Sequence, residues 1–307
     1  MTDWTARARD NARPAAAEWG TWGPRGGSGR SPDLDMPLTH TIVAPHTPRM
    51  GVEERAPDFV RALSESQKEM GAAIRATKPD VLIINSAHWV CTFNWHVTCQ
   101  AEHVGHCVAD EAPDLIDGVP YRYRGDPEMG RAILAGFEAD EIPCAPNEST
   151  HFQWDYGSWV PSKHLDPDAQ LAIILIGTVT SSDVDECMKA GTAIRRAVEK
   201  LDRRAVFAAS CAFTHELVRG PASWPTEERQ KLDGKFIEML TSGRIAEAKS
   251  WFKEYNAAVV GEMGGRTLAT FLGCLDEAST RPYTGKQYGP YTQSSGSGNA
   301  NIALWQA

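Results

Sequence analysis

Short apolar runs that alternate with segments of helical periodicity most constrain the fold of this chain. Residues 81–84 and 171–176 are apolar over the length of a buried strand and are too short to span a membrane. Apolar residues recur at helical spacing over about 57–76 and again after Ser182, where Ser182 and Asp185 have the spacing of a capping box. This alternation predicts an α/β fold, a single domain with a central, mainly parallel or mixed sheet flanked by helices.

The rest of the chain includes segments with clear strand or helix patterns and segments without them. Strands are predicted at 39–45, 80–85 and 204–210, and helices at about 226–242 and 257–275. The middle of the chain, about 90–163, has weak periodicity, and we expect it to fold around a site instead of forming a separate domain. The segment 285–301 is polar and rich in glycine and receives no element.

The first 35 of the 307 residues differ from the rest. Residues 1–35 are rich in Ala, Arg, Gly and Pro and show no sustained period, which predicts a flexible N-terminal extension or a subunit-contact arm. Residues 36–307 then form the domain that carries the function.

Charge and cysteine content exclude several classes of protein. Lys and Arg total 31 against 40 Asp and Glu, a net charge of −9 that disfavours a nucleic-acid binder. The N-terminus has no apolar stretch typical of a secretory signal, and no apolar run approaches a membrane span, so we expect a cytoplasmic protein without membrane contact. The seven cysteines include no CxxC pair, which favours reduced thiols over disulfides or a thiolate zinc site.

Three of the nine histidines, His46, His88 and His215, follow predicted strands. Open α/β sheets place ligands at the carboxyl ends of their strands, so a metal site is expected there. Two imidazoles and one carboxylate form the facial triad that binds Fe(II) and leaves positions open for substrate and oxygen. Each histidine has a structural alternative as a buried, hydrogen-bonded side chain, and His40 is a rival to His46, although it falls inside a predicted strand. The chain contains none of the HExxH, GxSxG, P-loop or GxGxxG motifs.

Four segments resemble class III extradiol ring-cleavage dioxygenases. They are Ala44-Pro45-His46-Thr47-Pro48, Lys78-Pro79-Asp80-Val81-Leu82-Ile83-Ile84-Asn85-Ser86-Ala87-His88-Trp89, Trp154-Asp155-Tyr156-Gly157 and Ala208-Ala209-Ser210-Cys211-Ala212-Phe213-Thr214-His215. The family includes protocatechuate 4,5-dioxygenase catalytic chains, and the second segment resembles most closely the catalytic subunits of 2-aminophenol 1,6-dioxygenases. The resemblance spans about residues 40–305 and leaves the N-terminal extension unmatched.

The resemblance implies a set of site residues. It implies that His46 and His88 bind iron and that Glu262, in Gly261-Glu262-Met263-Gly264-Gly265 on a late helix, is the third ligand. His215 corresponds to the family's acid–base histidine and Tyr156 to its active-site tyrosine. Further candidates for substrate binding or for support of the ligands are His151, Asp155, Trp89, Arg49 and Arg266.

The implied activity is that of a non-haem Fe(II) extradiol dioxygenase, which opens the ring of an ortho-aminophenol or catechol with O2 to a semialdehyde. Family catalytic chains form homo- or hetero-oligomers, so a related partner subunit is expected. Two alternatives stay open, a zinc-dependent hydrolase on the same metal site and a non-catalytic scaffold subunit of the same fold. The sequence leaves open the ring substituents and the choice between aminophenol and catechol.

Overall fold

A mixed sheet with a parallel centre organises the part of the chain that the computed structural model describes, residues 36–116, 118–201, 203–220 and 222–307. The predicted extension, residues 1–35, lies outside the described residues. The strands are β1 Leu38–Val43, β2 Val81–Cys91, β3 Trp95–Thr98, β4 Glu102–His106, β5 Pro120–Gly125, β6 Cys144–Asn147, β7 Ala172–Val179, β8 Ala205–Ser210, β9 Tyr283–Ser294 and β10 Ser297–Gln306. Their order is β4-β5-β7-β2-β8-β1-β10-β9, and β3 joins β7 and β6 beside this path.

Helices cover both faces of the sheet. They are α1 Asp58–Ala76, α2 Pro127–Ala139, α3 Tyr156–Leu165, α4 Val184–Lys200, α5 Glu227–Thr241, α6 Ile245–Val259 and α7 Arg266–Cys274. Side chains of β2 alternate between two hydrophobic clusters, because successive residues of a strand point to opposite faces. Val81 and Ile83 belong to the cluster that includes residues of α2 and α4 to α7, and Leu82 and Ile84 to the cluster that includes residues of α1 and α3. The predicted α/β class is confirmed.

The parallel centre places three strand ends side by side. β8 pairs in parallel with both β1 and β2, and β2 pairs in parallel with β7. Val43 lies opposite Ala209, and Ser86 lies opposite Ser210. The segments that leave the carboxyl ends of β1 and β8 therefore start next to the late part of β2, which carries His88.

Strand β2 is longer than predicted and contains His88 instead of ending before it. Ser86 lies opposite Gly177 of β7, but the next paired residues are Val90 and Thr178. Three residues of β2 thus have no counterpart on β7, and this bulge carries His88 out of the regular ladder.

The helix predicted over about 257–275 is wrong as a continuous element. α6 ends at Val259 and α7 begins at Arg266, and Glu262 lies in the short turn between them. Val260, Met263 and the two following glycines have positive φ angles, which a helix does not allow. The glycine pair provides the conformational freedom for this break.

Two further local predictions need correction or completion. Asp183, not Ser182, caps α4, since its carboxylate accepts from the Glu186 N–H at 2.8 Å, while the Ser182 hydroxyl donates to the Val179 carbonyl. The polar segment 285–301 forms most of the β9–β10 hairpin. No helix within the described ranges is long and apolar enough to cross a bilayer.

Candidate metal centre

One carboxylate oxygen lies at the centre of the site that the strand ends create. Oε1 of Glu262 is 3.3 Å from Nε2 of His46, 3.6 Å from Nε2 of His88 and 3.4 Å from Nε2 of His215. His46, His88 and Glu262 form the group whose potential ligand atoms all lie within 4.8 Å of one another. The structure thus brings together the three side chains that the sequence suggested as ligands, with His215 beside them and outside that group.

His46 is oriented by the end of β8. Its ring is buried, and Nδ1 lies 2.9 Å from the Ser210 hydroxyl, which donates its own hydrogen to the Gly157 carbonyl. The Ser210 oxygen therefore accepts from Nδ1–H of His46. This tautomer leaves the lone pair of Nε2 directed at the cluster.

A carboxylate orients the ring of His88, as Ser210 orients the ring of His46. Its Nδ1 lies 2.8 Å from Oε1 of Glu111, so Nδ1–H donates outward and Nε2 faces inward. Its backbone N–H donates to the Ser86 hydroxyl, which donates to Asp155 at 2.6 Å. Burial disfavours the imidazolium, but the carboxylates of Glu262, Asp155 and Glu111 outweigh it and raise the pKa of His88.

Glu262 is ionised although it is buried. Its Oε2 accepts from the Ala212 N–H at 2.6 Å, which leaves Oε1 for the imidazoles. Burial alone would raise the pKa of Glu262, but His46 and His215 hold it well below its usual range. An anionic oxygen bordered by inward-facing imidazole nitrogens is a donor set that suits a divalent cation.

The turn that carries Glu262 is fixed by two side chains. Asn256 donates from Nδ2 to the Gly264 carbonyl at 2.9 Å. Arg266 donates to three carbonyls, those of Met263, Ser182 and Thr180, at 2.7 to 2.9 Å. Arg266 was a candidate for a substrate carboxylate, but its guanidinium is engaged by the backbone and it does not line the cavity.

Tyr156 contributes a hydroxyl to the cluster. Asp155 caps α3 by accepting from the Ser158 N–H, which places Tyr156 in the first turn of the helix. The Tyr156 hydroxyl lies 2.8 Å from Nε2 of His88. Burial, together with Glu111 and Glu262, raises the pKa of Tyr156 far above its usual value, so the hydroxyl stays protonated and donates to the Nε2 lone pair of His88; a metal on Nε2 would free this donor.

His215 is attached to the Glu262 turn by its backbone. Its N–H donates to the Val260 carbonyl at 3.1 Å, and it pairs with Ser297 of β10. Burial lowers the pKa of His215, the nearby rings of His46 and His88 act in the same direction, and Glu262 opposes them. Its imidazole is therefore neutral near pH 7 and can accept a proton.

The remaining sequence candidates lie away from the cluster. His151 is exposed on the loop before α3, Trp89 packs against Phe152 with ring centroids 4.5 Å apart, and Arg49 lies in the short turn Pro48–Gly51. None of these three candidates lines the cavity at the cluster, which has a volume of about 340 Å³. Sequence reasoning missed Glu111, which lies in irregular chain between β4 and β5 and has no motif or periodicity around it.

Comparison with known proteins places the chain in a family. The model of the catalytic LigB subunit of aromatic ring-opening dioxygenases matches residues 40–304, and the chain belongs to this family. The resemblance to class III extradiol dioxygenases is thus confirmed.

Two relatives and one solved structure are similar to this chain. The chain is 25% identical to 3,4-dihydroxyphenylacetate 2,3-dioxygenase of Escherichia coli, over 73% of this chain and 82% of that protein. It is 24% identical to the 2-aminophenol 1,6-dioxygenase beta subunit of a Pseudomonas species, over 67% of this chain and 75% of that one. The crystal structure of an uncharacterized Escherichia coli K12 protein, JW3007, has a TM-score of 0.62 at 16% identity, covers 86% of this chain and 99% of its own, and shares the fold.

The Glu262 turn yields a test with a matched control. Gly265 and Gly118 both have a φ of 78°, but a Cβ at Gly265 would lie 2.1 Å from Oδ1 of Asn256, whereas a Cβ at Gly118 would meet no atom within 4 Å. Gly118→Ala should cost about 1–2 kcal/mol of unfolding free energy through the left-handed backbone alone. Gly265→Ala should cost more and should also weaken divalent-metal binding, because the turn must shift. Denaturant unfolding and metal titration measure both effects. Equal metal affinity in the two variants would contradict this role of the turn.

Proposed function

We propose that this chain is a non-haem Fe(II) extradiol dioxygenase, which opens the ring of an ortho-aminophenol or a catechol with O2 to a semialdehyde. The observation that carries the proposal is the convergence of His46, His88 and Glu262 on the wall of one cavity, in a chain of an aromatic ring-opening dioxygenase family. A metal held by two histidines and one carboxylate would keep positions open for two ring heteroatoms and oxygen.

His46, His88 and Glu262 would hold the metal. Two neutral imidazoles and one carboxylate reduce the charge of a divalent ion by one, so the centre attracts a singly deprotonated ring. When bound, iron would bring ring and oxygen together and allow charge to pass between them.

His215 and Tyr156 would handle protons and hydrogen bonds. His215 is beside Glu262 on the cavity wall, where it can accept the second proton of the ring and return it as the O–O bond breaks. Tyr156, a protonated hydroxyl beside His88, can donate to an oxygen that gains negative charge.

We further propose the setting in which this chemistry occurs. Residues 36–307 are the catalytic domain, and residues 1–35 are an extension or subunit-contact arm of a cytoplasmic homo-oligomer or hetero-oligomer. A relative named as a beta subunit supports assembly with a related chain. A zinc-dependent hydrolase would use the same ligands, but membership of a ring-opening dioxygenase family favours oxygen as the co-substrate.

Anaerobic reconstitution tests the proposal directly. Protein loaded with Fe(II) should consume oxygen when air and an ortho-aminophenol or a catechol are added, and a coloured ring-opened product should form in proportion. Protein loaded with Zn(II) is the matched control and should do neither. Ester or amide hydrolysis by the zinc form, without oxygen uptake by the iron form, would reject the dioxygenase in favour of the hydrolase.

Variants separate metal binding from proton transfer. His46→Ala and His88→Ala should lose metal and activity together, because each removes a ligand. His215→Ala should retain the metal and lose about 10²–10⁴-fold in turnover. Metal analysis of the purified variants, together with steady-state kinetics, distinguishes the two classes. His215→Ala protein that loses its metal would make His215 a ligand and refute its role as the base.

Glu111 should set the metal affinity through His88. A carboxylate that accepts from the outer nitrogen fixes the ring and raises its basicity, and loss of such a partner costs about 10–100-fold in affinity. Glu111→Ala should weaken metal binding by this factor. Glu111→Gln keeps an acceptor without the charge and should lie between Ala and the native residue. Competition with a chelator measures these constants, with Glu254→Ala on the exposed face of α6 as the control. An affinity in Glu111→Ala equal to that of the control would remove Glu111 from the site.

A further inference from the structure

The charged groups around the cavity are acidic apart from the histidines. Glu262 and Glu111 line it, and across the described ranges no lysine or arginine does. Two arginines in adjoining segments have other partners, and Arg49, next to the lining residue Pro48, does not line the cavity. Arg266 is engaged by three carbonyls, and Arg229 pairs with Glu216 and donates to the Ala258 carbonyl. A substrate carboxylate would therefore meet two carboxylates and no cationic side chain on these walls.

The wall formed by the end of the β9–β10 hairpin is polar. It includes Ser294, Ser295, Ser297 and Asn299. Asn299 donates from Nδ2 to the carbonyl and the hydroxyl of Ser297, and the Ser297 hydroxyl donates to the Ser294 carbonyl. The hydrogens of Asn299 and Ser297 are thus used within the wall, so these two side chains present oxygen acceptors to a ligand, whereas the Ser294 and Ser295 hydroxyls can donate or accept.

Thr47 has an unpartnered hydroxyl near this wall. It lines the cavity next to His46 and is 8% exposed. Its hydroxyl is buried and has no hydrogen-bond partner among the described residues. A buried polar atom without a partner is uncommon in folded proteins, and this hydroxyl could donate to a ligand acceptor or accept from a ligand donor only if the segment that carries it shifts.

We propose, resting on the function above, that the ring taken by this chain carries no carboxylate and that its substituent is a hydroxyl, an amine or another uncharged or cationic group. A divalent metal with Glu262 and Glu111 has no net charge, and a singly deprotonated ring adds one negative charge. A carboxylate on the ring would add another beside Glu111, whereas an ammonium would neutralise the cavity.

Three rings of similar size test this proposal. They are 4-(2-hydroxyethyl)catechol, 4-(2-aminoethyl)catechol and 4-(carboxymethyl)catechol, or their 2-aminophenol counterparts if only those are cleaved. Binding to the Fe(II)-loaded protein is measured without oxygen by calorimetry, and kcat/KM is measured in air. The hydroxyethyl and aminoethyl rings should exceed the carboxymethyl ring by at least about tenfold in both affinity and kcat/KM. A carboxymethyl ring that binds as well as the others, or the failure of all three to bind, would overturn the inference.

A charge placed on the cavity wall gives the converse test. Leu217 lines the cavity and is 61% exposed. Replacing it with a long polar side chain therefore leaves no void in the hydrophobic core. Leu217→Arg should reduce the preference against the carboxymethyl ring by about tenfold relative to Leu217→Gln, its uncharged control. If both variants disfavoured the carboxymethyl ring equally, the preference among the rings would not be electrostatic.

Rings that bind in the expected order without oxygen uptake would reject the dioxygenase proposal while supporting the inference about the substituent.

Discussion

The buried carboxylate of Glu262 is the interaction on which the site depends. A carboxylate removed from water is costly unless charges and donors replace its hydration. The fold provides one such donor, the backbone N–H of Ala212, and places Oε1 beside the Nε2 atoms of three imidazoles, an arrangement that suits a divalent cation between them. The parallel order of β2, β8 and β1 makes this possible, because their adjacent carboxyl ends bring distant histidines to one oxygen.

A surrounding layer of hydrogen bonds fixes the directions of these groups. Ser210 orients His46 and Glu111 orients His88, so that both Nε2 atoms face Glu262. The two supports differ in kind, since a buried serine hydroxyl holds one ring and a partly exposed carboxylate holds the other. Glu111 both contacts His88 and adds a negative charge to the cavity wall, so the proposals on metal affinity and on the ring substituent both depend on it.

The sequence predicted the sheet and the three histidines because apolar strands and the residues that follow them are local patterns. It did not predict the features that depend on contacts between distant segments of the chain. The apolar spacing of 257–275 suggested one helix, but left-handed residues at Val260 and Met263 break it and turn Glu262 toward the histidines. Glu111 lies in irregular chain without any motif, and only the fold shows that it reaches His88. Arg266 was expected at the substrate, but it holds backbone carbonyls that no local pattern reveals.

A structure or an X-ray absorption spectrum of the Fe(II)-loaded protein, prepared without oxygen, would show which side chains hold the metal. We expect one iron bound by His46, His88 and Glu262, with the other coordination positions taken by exchangeable water that an ortho-aminophenol or a catechol displaces. Iron that is also bound by His215, or iron held elsewhere in the chain while Glu262 keeps its contacts to the three imidazoles, would contradict this expectation.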